Sequence, residues 1–280
     1  KPNARLFVGA LFAGADEYAS FAASKASRTP VVYVGANDGM LHGFNANTGV
    51  ETFAFVPSAA IGGLAAYADP DYQHRYFVDG EITVADVYRS ANPGRGWKTV
   101  LVGTMGRGGK TVFALDVTDP TNVKFLWEKS LAAVGNVLGK PVIAQVADGD
   151  WRVIIGNGPN STGDRAQLVM IGIEDGTVTT VDTGVGSDNG LSAVYTWDSD
   201  GDSFADTAYA GDLRGNLWRF SGLGSSPSAS LLFAAMDDDD NPQPITAAPL
   251  AGKNPDTGDV WVFFGTGRYL NEADTSDTSM

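Results

Sequence analysis

Two distant segments of this chain are copies of one unit. Residues 31–44 (VVYVGANDGMLHGF) and 207–220 (TAYAGDLRGNLWRF) align without a gap: Tyr33 with Tyr209, Gly35 with Gly211, Gly39 with Gly215, Leu41 with Leu217, Phe44 with Phe220. Each half alternates as a strand does, and the Gly-x-x-x-Gly centre supplies a turn, so the unit is a β-hairpin. Weaker copies follow in 99–115 around Gly103, in 152–171 around Gly156 and in 260–270 around Gly265. The anchor glycines 35, 103, 156, 211 and 265 stand 68, 53, 55 and 54 residues apart. A period of this size with two to four strands per unit is the mark of a β-propeller. Four-stranded repeats of the WD40 kind are shorter, so these blades carry insertions.

The remaining segments fit around that frame. Residues 15–26 (ADEYASFAASKA) are the best helix candidate, with Tyr18, Phe21 and Ala22 on one face. Residues 57–68 are rich in Ala and Gly and read as a short helix or a loop. Residues 76–87 read as two strands around the Asp79-Gly80 turn, forming a sixth blade or part of one. Phe7-Val8-Gly9 reads as an outer strand closing the ring. No linker divides the chain, so residues 1–280 are expected to form a single all-β propeller domain with short helical insertions. The chain opens on Lys1 and stops at Met280 just after a strand-like run, and is read as a piece of a longer protein.

Composition removes several functions. With 33 acidic against 19 basic residues the formal charge is −14, which repels nucleic acid and anionic lipid. The absence of Cys excludes disulfides, thiolate metal sites and cysteine nucleophiles. No signal peptide or membrane span is visible, so direct membrane insertion is not expected.

The densest chemistry lies in residues 198–206 (DSDGDSFAD). Asp198, Asp200, Asp202 and Asp206 occupy positions 1, 3, 5 and 9 of a calcium loop, and Phe204 at position 7 would offer its backbone carbonyl. Carboxylates so close repel unless a cation sits among them. The match to an EF-hand is partial. Gly201 stands at position 4, Ser203 at position 6 and Tyr209 at position 12, and strands rather than helices flank the loop. The expectation is an EF-hand-like Ca²⁺ loop between strands, with Asp206 as candidate bidentate ligand; the bland alternative is a solvated acidic turn.

Other motifs read more plainly. His42 aligns with Trp218 and is expected to pack; His74 is expected to be buried and hydrogen-bonded. Asp148-Gly149-Asp150-Trp151 and Arg107-Gly108-Gly109-Lys110 read as hairpin turns, and Asp237 to Asp240 as a solvated loop. Asn160-Ser161-Thr162 matches a glycosylation acceptor pattern.

Several segments, in order, resemble the C-terminal β-propeller domain of PilY/PilC-type type IV pilus biogenesis proteins. They are Tyr18 and Phe21, then Arg28 to His42, then Tyr72, His74, Tyr76 to Gly80 and Asp86-Val87. Gly156-Asn157-Gly158 with Asn160-Ser161 follows, then Tyr209 to Phe220 after the acidic loop, then Phe264 to Leu270. The likeness runs from about residue 15 to 271. It implies a modified propeller in a large secreted or surface-associated bacterial protein, placed at the cell surface with the pilus or in the periplasm and outer membrane. It also implies action in pilus assembly against retraction, adhesion, surface sensing and twitching motility. Pilins or minor pilins would be partners, with host or abiotic surfaces beyond them. Within the family a calcium loop governs extension against retraction. Its ligands fall here on Asp198, Asp200, Asp202, the Phe204 carbonyl and Asp206. The resemblance further implies an unfinished final blade, and the segment contains no Arg-Gly-Asp tripeptide. Two rival readings stand beside this non-enzymatic module. One is a pyrroloquinoline-quinone-type propeller oxidoreductase, suggested by Asn45 to Gly49 but lacking the cysteines of such a site. The other is a passive scaffold with structural calcium.

Overall fold

The computed structural model describes residues 12–92 and 94–276. Among the described residues seventeen strands fall into five antiparallel sheets built in chain order. The first sheet is β1 (Val31–Gly35), β2 (Leu41–Asn45) and β3 (Glu51–Phe55). The second is β4 (Ile82–Arg89), β5 (Gly96–Thr104), β6 (Thr111–Asp116) and β7 (Lys124–Ser130). The third is β8 (Val142–Ala147), β9 (Asp150–Gly156), β10 (Gln167–Gly172) and β11 (Val178–Asp182). The fourth is β12 (Leu191–Trp197), β13 (Thr207–Asp212), β14 (Asn216–Ser221) and β15 (Ser228–Ala234). β16 (Leu250–Lys253) and β17 (Val260–Phe263) make the fifth. Within each sheet neighbours in space are neighbours in sequence. The leading strands of successive sheets lie side by side: β1 by β4, β4 by β8, β8 by β12, β12 by β16. Up-and-down sheets stacked through their leading strands are the propeller plan.

The core explains why so many strands read as unbroken apolar runs. Val153 and Ile155 of β9 face the second sheet, where they meet Val100 and Val102 of β5. Ile154, between them, faces the fourth sheet and meets Ala208 and Ala210 of β13. Successive side chains of a strand point to opposite faces, so a middle sheet sandwiched on both sides must be apolar at every position. A third cluster, with Leu41, Leu101 and Phe113, joins the first and second sheets. Leu217 and Ile245, with Val262 packed against them, join the fourth to the fifth.

Three of the five anchor glycines, Gly35, Gly156 and Gly211, sit where the chain running to or through the next sheet crosses, whereas Gly103 faces Phe113 of its own sheet and Gly265 has nothing within 4 Å. A Cβ on Gly156 would stand 1.9 Å from the Ser192 carbonyl oxygen, and one on Gly211 2.2 Å from Ile245 Cγ2. The repeat is therefore a packing requirement between blades as much as a turn signal.

The helix falls at α1 (Tyr18–Ser24), preceded by a 3₁₀ turn at Ala15–Glu17. Tyr18 is buried against Trp97, with ring centroids 4.5 Å apart, and Phe21 and Ala22 pack on the same cluster. Residues 57–68 hold the short α2 (Ser58–Ile61) and a 3₁₀ turn at Leu64–Ala68. Glu128 of β7 holds the start of α2, accepting from the Ser58 and Ala59 amides and the Ser58 hydroxyl.

Two expectations change. Residues 76–87 do not form two strands. Only β4 is one, and it opens the second sheet rather than a sixth blade. Residues 77–80 run irregularly between sheets: the Val78 amide donates to the Ala36 carbonyl and the Asp79 amide to that of Met105. The last glycine hairpin is also absent. β17 pairs back with β16, and after Phe263 the chain meets the body through an isolated parallel bridge from Ile245 to Gly267. The strand expected at Phe7-Val8-Gly9 lies outside the described residues.

Candidate metal centre

Residues 198–206 connect β12 to β13, and the loop is fixed to the body at its C-terminal end. The Ala205 amide donates to the Gln145 carbonyl of β8 at 2.8 Å. The Asp206 carbonyl accepts from the amides of Gly222 and Leu223. Ahead of these points the loop folds on its own carboxylates. Asp198 accepts from the Gly201 and Ser203 amides at 2.6 and 2.8 Å. Asp206 accepts from the Ser199 amide and hydroxyl through one oxygen and from the Thr207 hydroxyl through the other. Gly201 and Ser203 take positive φ, 87° and 77°, which lets the loop turn tightly enough to aim alternate side chains inward.

The turn gathers three of the four carboxylates. Asp198, Asp200 and Asp206 each present an oxygen within 4.8 Å of the others. Asp198 and Asp206 are half-buried and Asp200 is exposed. Asp202 stands outside this group, with Oδ1 accepting from the Phe204 amide at 2.8 Å. Among the described residues no ion pair reaches the loop; the pairs involve His42, Arg152, Arg165 and Arg268. Three hard oxygen donors without a neighbouring cation fit a divalent ion. Each pair of carboxylates at this separation repels by on the order of 1 kcal/mol even in water.

Phe204 is more than a supplier of backbone. Its ring packs edge-on to Phe12 at 6.4 Å and joins the cluster between the second and third sheets, although its loop belongs to the fourth. Phe12 in turn meets Trp97 at 6.4 Å. No local pattern signals this reach, because it depends on how the sheets stack.

A second polar centre lies at the other end of β13. Asp212 is fully buried and accepts six hydrogen bonds: from the Arg214 and Asn216 amides, from Asn189 Nδ2, twice from Asn216 Nδ2, and from Trp218 Nε1. Asn157 holds the matching place after Gly156. It donates to the carbonyls of Ala133 and Arg165 and to the Ser161 hydroxyl, and accepts from the Gln167 and Leu191 amides. Aligning the anchor glycines marks both positions, since each follows one directly, but not their burial or their partners.

The histidines differ from expectation. His42 does not pack as Trp218 does: its Nδ1 lies 2.7 Å from Glu51 and its Nε2 2.9 Å from Asp38. The Glu51 hydrogen bond chiefly, then Asp38, raises its pKa against the opposing effect of burial. His74 is exposed and meets the Tyr76 ring edge-on at 4.9 Å. Asp148-Gly149 forms the tight β8–β9 turn, and residues 105–110 the β5–β6 loop, as read. Asp237 organises its own exposed loop through the Asp239 and Asn241 amides. Asn160 is exposed, with its amide on Asn136 at 2.8 Å.

Among the described residues no helix is long and apolar enough to cross a membrane. The family model of the PilY1 beta-propeller domain matches residues 6–230. A type IV pilus biogenesis factor PilY1 homolog of Xylella fastidiosa (strain Temecula1) is 52% identical over 98% of this chain. The type IV pilus biogenesis factor PilY1 of Pseudomonas aeruginosa (strain PAO1) is 42% identical over 94% of it. The match spans 22% and 25% of those two proteins, about a quarter of their length. The crystal structure of the Pseudomonas aeruginosa PilY1 C-terminal domain superposes with a TM-score of 0.78 at 40% identity, covering 92% of this chain and 56% of that one. On both sequence and fold, this chain belongs to the PilY1 β-propeller domain family.

Proposed function

We propose that this chain is the calcium-binding regulatory and interaction module of a type IV pilus biogenesis factor. It acts at the bacterial surface or in the periplasm, contacts pilins or minor pilins, and biases pilus extension against retraction. Adhesion to host or abiotic surfaces belongs to the same reading. The relatives are named as pilus biogenesis factors, which favours a module over an enzyme. The observation that carries the metal part is the convergence of Asp198, Asp200 and Asp206 within 4.8 Å on a loop fixed at its end by Ala205 and Asp206. A Ca²⁺ ion would draw its ligands from these three carboxylates and the Phe204 carbonyl, with Asp202 completing the set if its side chain turns from the Phe204 amide. Binding to the folded loop stabilises it by RT ln(1 + [Ca]/Kd), about 2.7 kcal/mol at a hundredfold excess over Kd. Without the ion, mutual repulsion loosens the loop and its hold on the core through Phe204.

The test is calorimetric titration of Ca²⁺ into the metal-stripped chain, with Asp200→Ala as control. One saturable site lost in the variant is the expected outcome; no binding removes the metal reading. In cells, Asp200→Ala in the whole protein is expected to shift the balance of extension and retraction. Unchanged pilus dynamics, with calcium binding abolished, would leave a passive scaffold.

A further inference from the structure

We propose that the cleft between the first and second sheets is a binding site for a small amphipathic carboxylate, meaning an alkyl or aryl body carrying one acid group. The site is distinct from the acidic loop and does not depend on the metal reading. The cleft has a volume of about 610 Å³, within the range of small-molecule sites. Its apolar wall comes from Val31 of β1, Val84 of β4, Val117, Pro30 and Pro120. Val84 is 46% exposed, an apolar side chain left open to solvent.

The charged groups of the cleft are of one sign. Lys25 and Arg28, both half-buried, line it together with Tyr33. Neither cation forms an ion pair among the described residues, in a chain with 14 excess negative charges. Arg28 donates through one nitrogen, Nη1, to the Thr99 hydroxyl and the Thr118 carbonyl. That fixes the guanidinium and leaves the remaining N–H groups of its fork for a ligand. The acids nearby are already engaged. Asp86 accepts from Tyr18 Oη and Thr99 Oγ1. Asp119 accepts from the Thr121 amide and hydroxyl, and its pKa is lowered by these bonds first and by Lys25 to a lesser degree. Burial raises the Tyr33 pKa, so its hydroxyl stays protonated and can donate. A carboxylate seated on Arg28, Lys25 and Tyr33 would place its apolar body on Val31, Val84 and Val117.

The experiment titrates octanoate into the isotopically labelled 280-residue chain and follows methyl and amide shifts, with octanol and octylammonium as neutral and cationic controls. Saturable shifts centred on Val31, Val84 and Val117 are expected, with octanoate binding about tenfold tighter than octanol. Lys25→Gln and Arg28→Gln should each weaken octanoate about tenfold and leave octanol unchanged. Arg28 also ties the Arg28–Pro30 segment to the second sheet. If Arg28→Gln fails to fold, Lys25→Gln alone decides. Absence of saturation, equal binding of octanol, or no effect of Lys25→Gln would overturn the proposal.

Discussion

Replacing Asp212 by Ala tests whether the fourth sheet depends on its buried carboxylate. The carboxylate is inaccessible to solvent, and two of its donors belong to side chains nearly as buried, Asn189 at 1% and Trp218 at 6% exposure. Removing the acceptor strands Asn189 Nδ2, Asn216 Nδ2, Trp218 Nε1 and two backbone amides. A buried donor left without a partner costs roughly 1–3 kcal/mol, and those nearer the surface recover part of this from water. The total is roughly 3–5 kcal/mol, a large share of the 5–15 kcal/mol that holds a typical domain together. Asp212→Asn should be nearly as harmful, since its amide must face either Trp218 Nε1 or the Arg214 and Asn216 amides, donor against donor. Urea unfolding followed by circular dichroism measures the loss without relying on Trp218 as reporter. The double variant Asp212→Ala with Trp218→Phe should lose less than the sum of the two, because the indole donor is no longer stranded. A loss below about 1 kcal/mol for Asp212→Ala, with an unchanged denaturant slope, would refute the reasoning.

Three further outcomes are expected. Phe204→Ala should keep calcium binding, whose ligand there is a backbone carbonyl, yet cost about 1–2 kcal/mol and raise hydrogen exchange in α1 through loss of the Phe12 and Trp97 contacts; unchanged exchange in residues 12–24 would break that link. His42 has a folded pKa raised above 6.5, so its stabilising contribution is full below that unfolded value and disappears as pH climbs through the folded one. Proton NMR of the imidazole should place its midpoint above 6.5, and the deficit of His42→Gln should shrink between acidic and alkaline pH; a midpoint at or below 6.5 contradicts the clamp. Gly156→Ala should cost more than about 3 kcal/mol because its Cβ meets the Ser192 carbonyl, whereas Gly265→Ala, with nothing within 4 Å, should stay within about 0.5 kcal/mol; equal effects would dissociate the glycines from blade packing.

Much of the chain's local structure is legible in its sequence. Strand alternation around Gly35, Gly103, Gly156 and Gly211 identified the hairpins, and Tyr18, Phe21 and Ala22 identified the longest helix among the described residues, because both depend on neighbours within a few residues. The acidic spacing from Asp198 to Asp206 likewise marked the loop that gathers three carboxylates. What escaped the reading depends on partners that no periodic pattern names, some far along the chain and some close by. Residues 76–80 look like a strand, yet their backbone groups are taken by Ala36 and Met105 of other elements. His42 copies the place of Trp218, but Asp38 and Glu51, with no counterpart acids in the later hairpin, turn it into an ionic clamp. Asp202 has the right spacing and points instead at the Phe204 amide.

The sequence by itself determined the repeating hairpin, the all-β class and the candidate ligand types, since those follow from periodicity and side-chain chemistry. Only the tertiary structure decided that Gly35, Gly156 and Gly211 are crossing points between blades, that Asp212 and Asn157 are buried hubs, and that Phe204 reaches from the acidic loop into the core of other sheets. The physical reason is that sheet stacking brings together residues about fifty or more positions apart, and nothing in a local pattern encodes which face meets which.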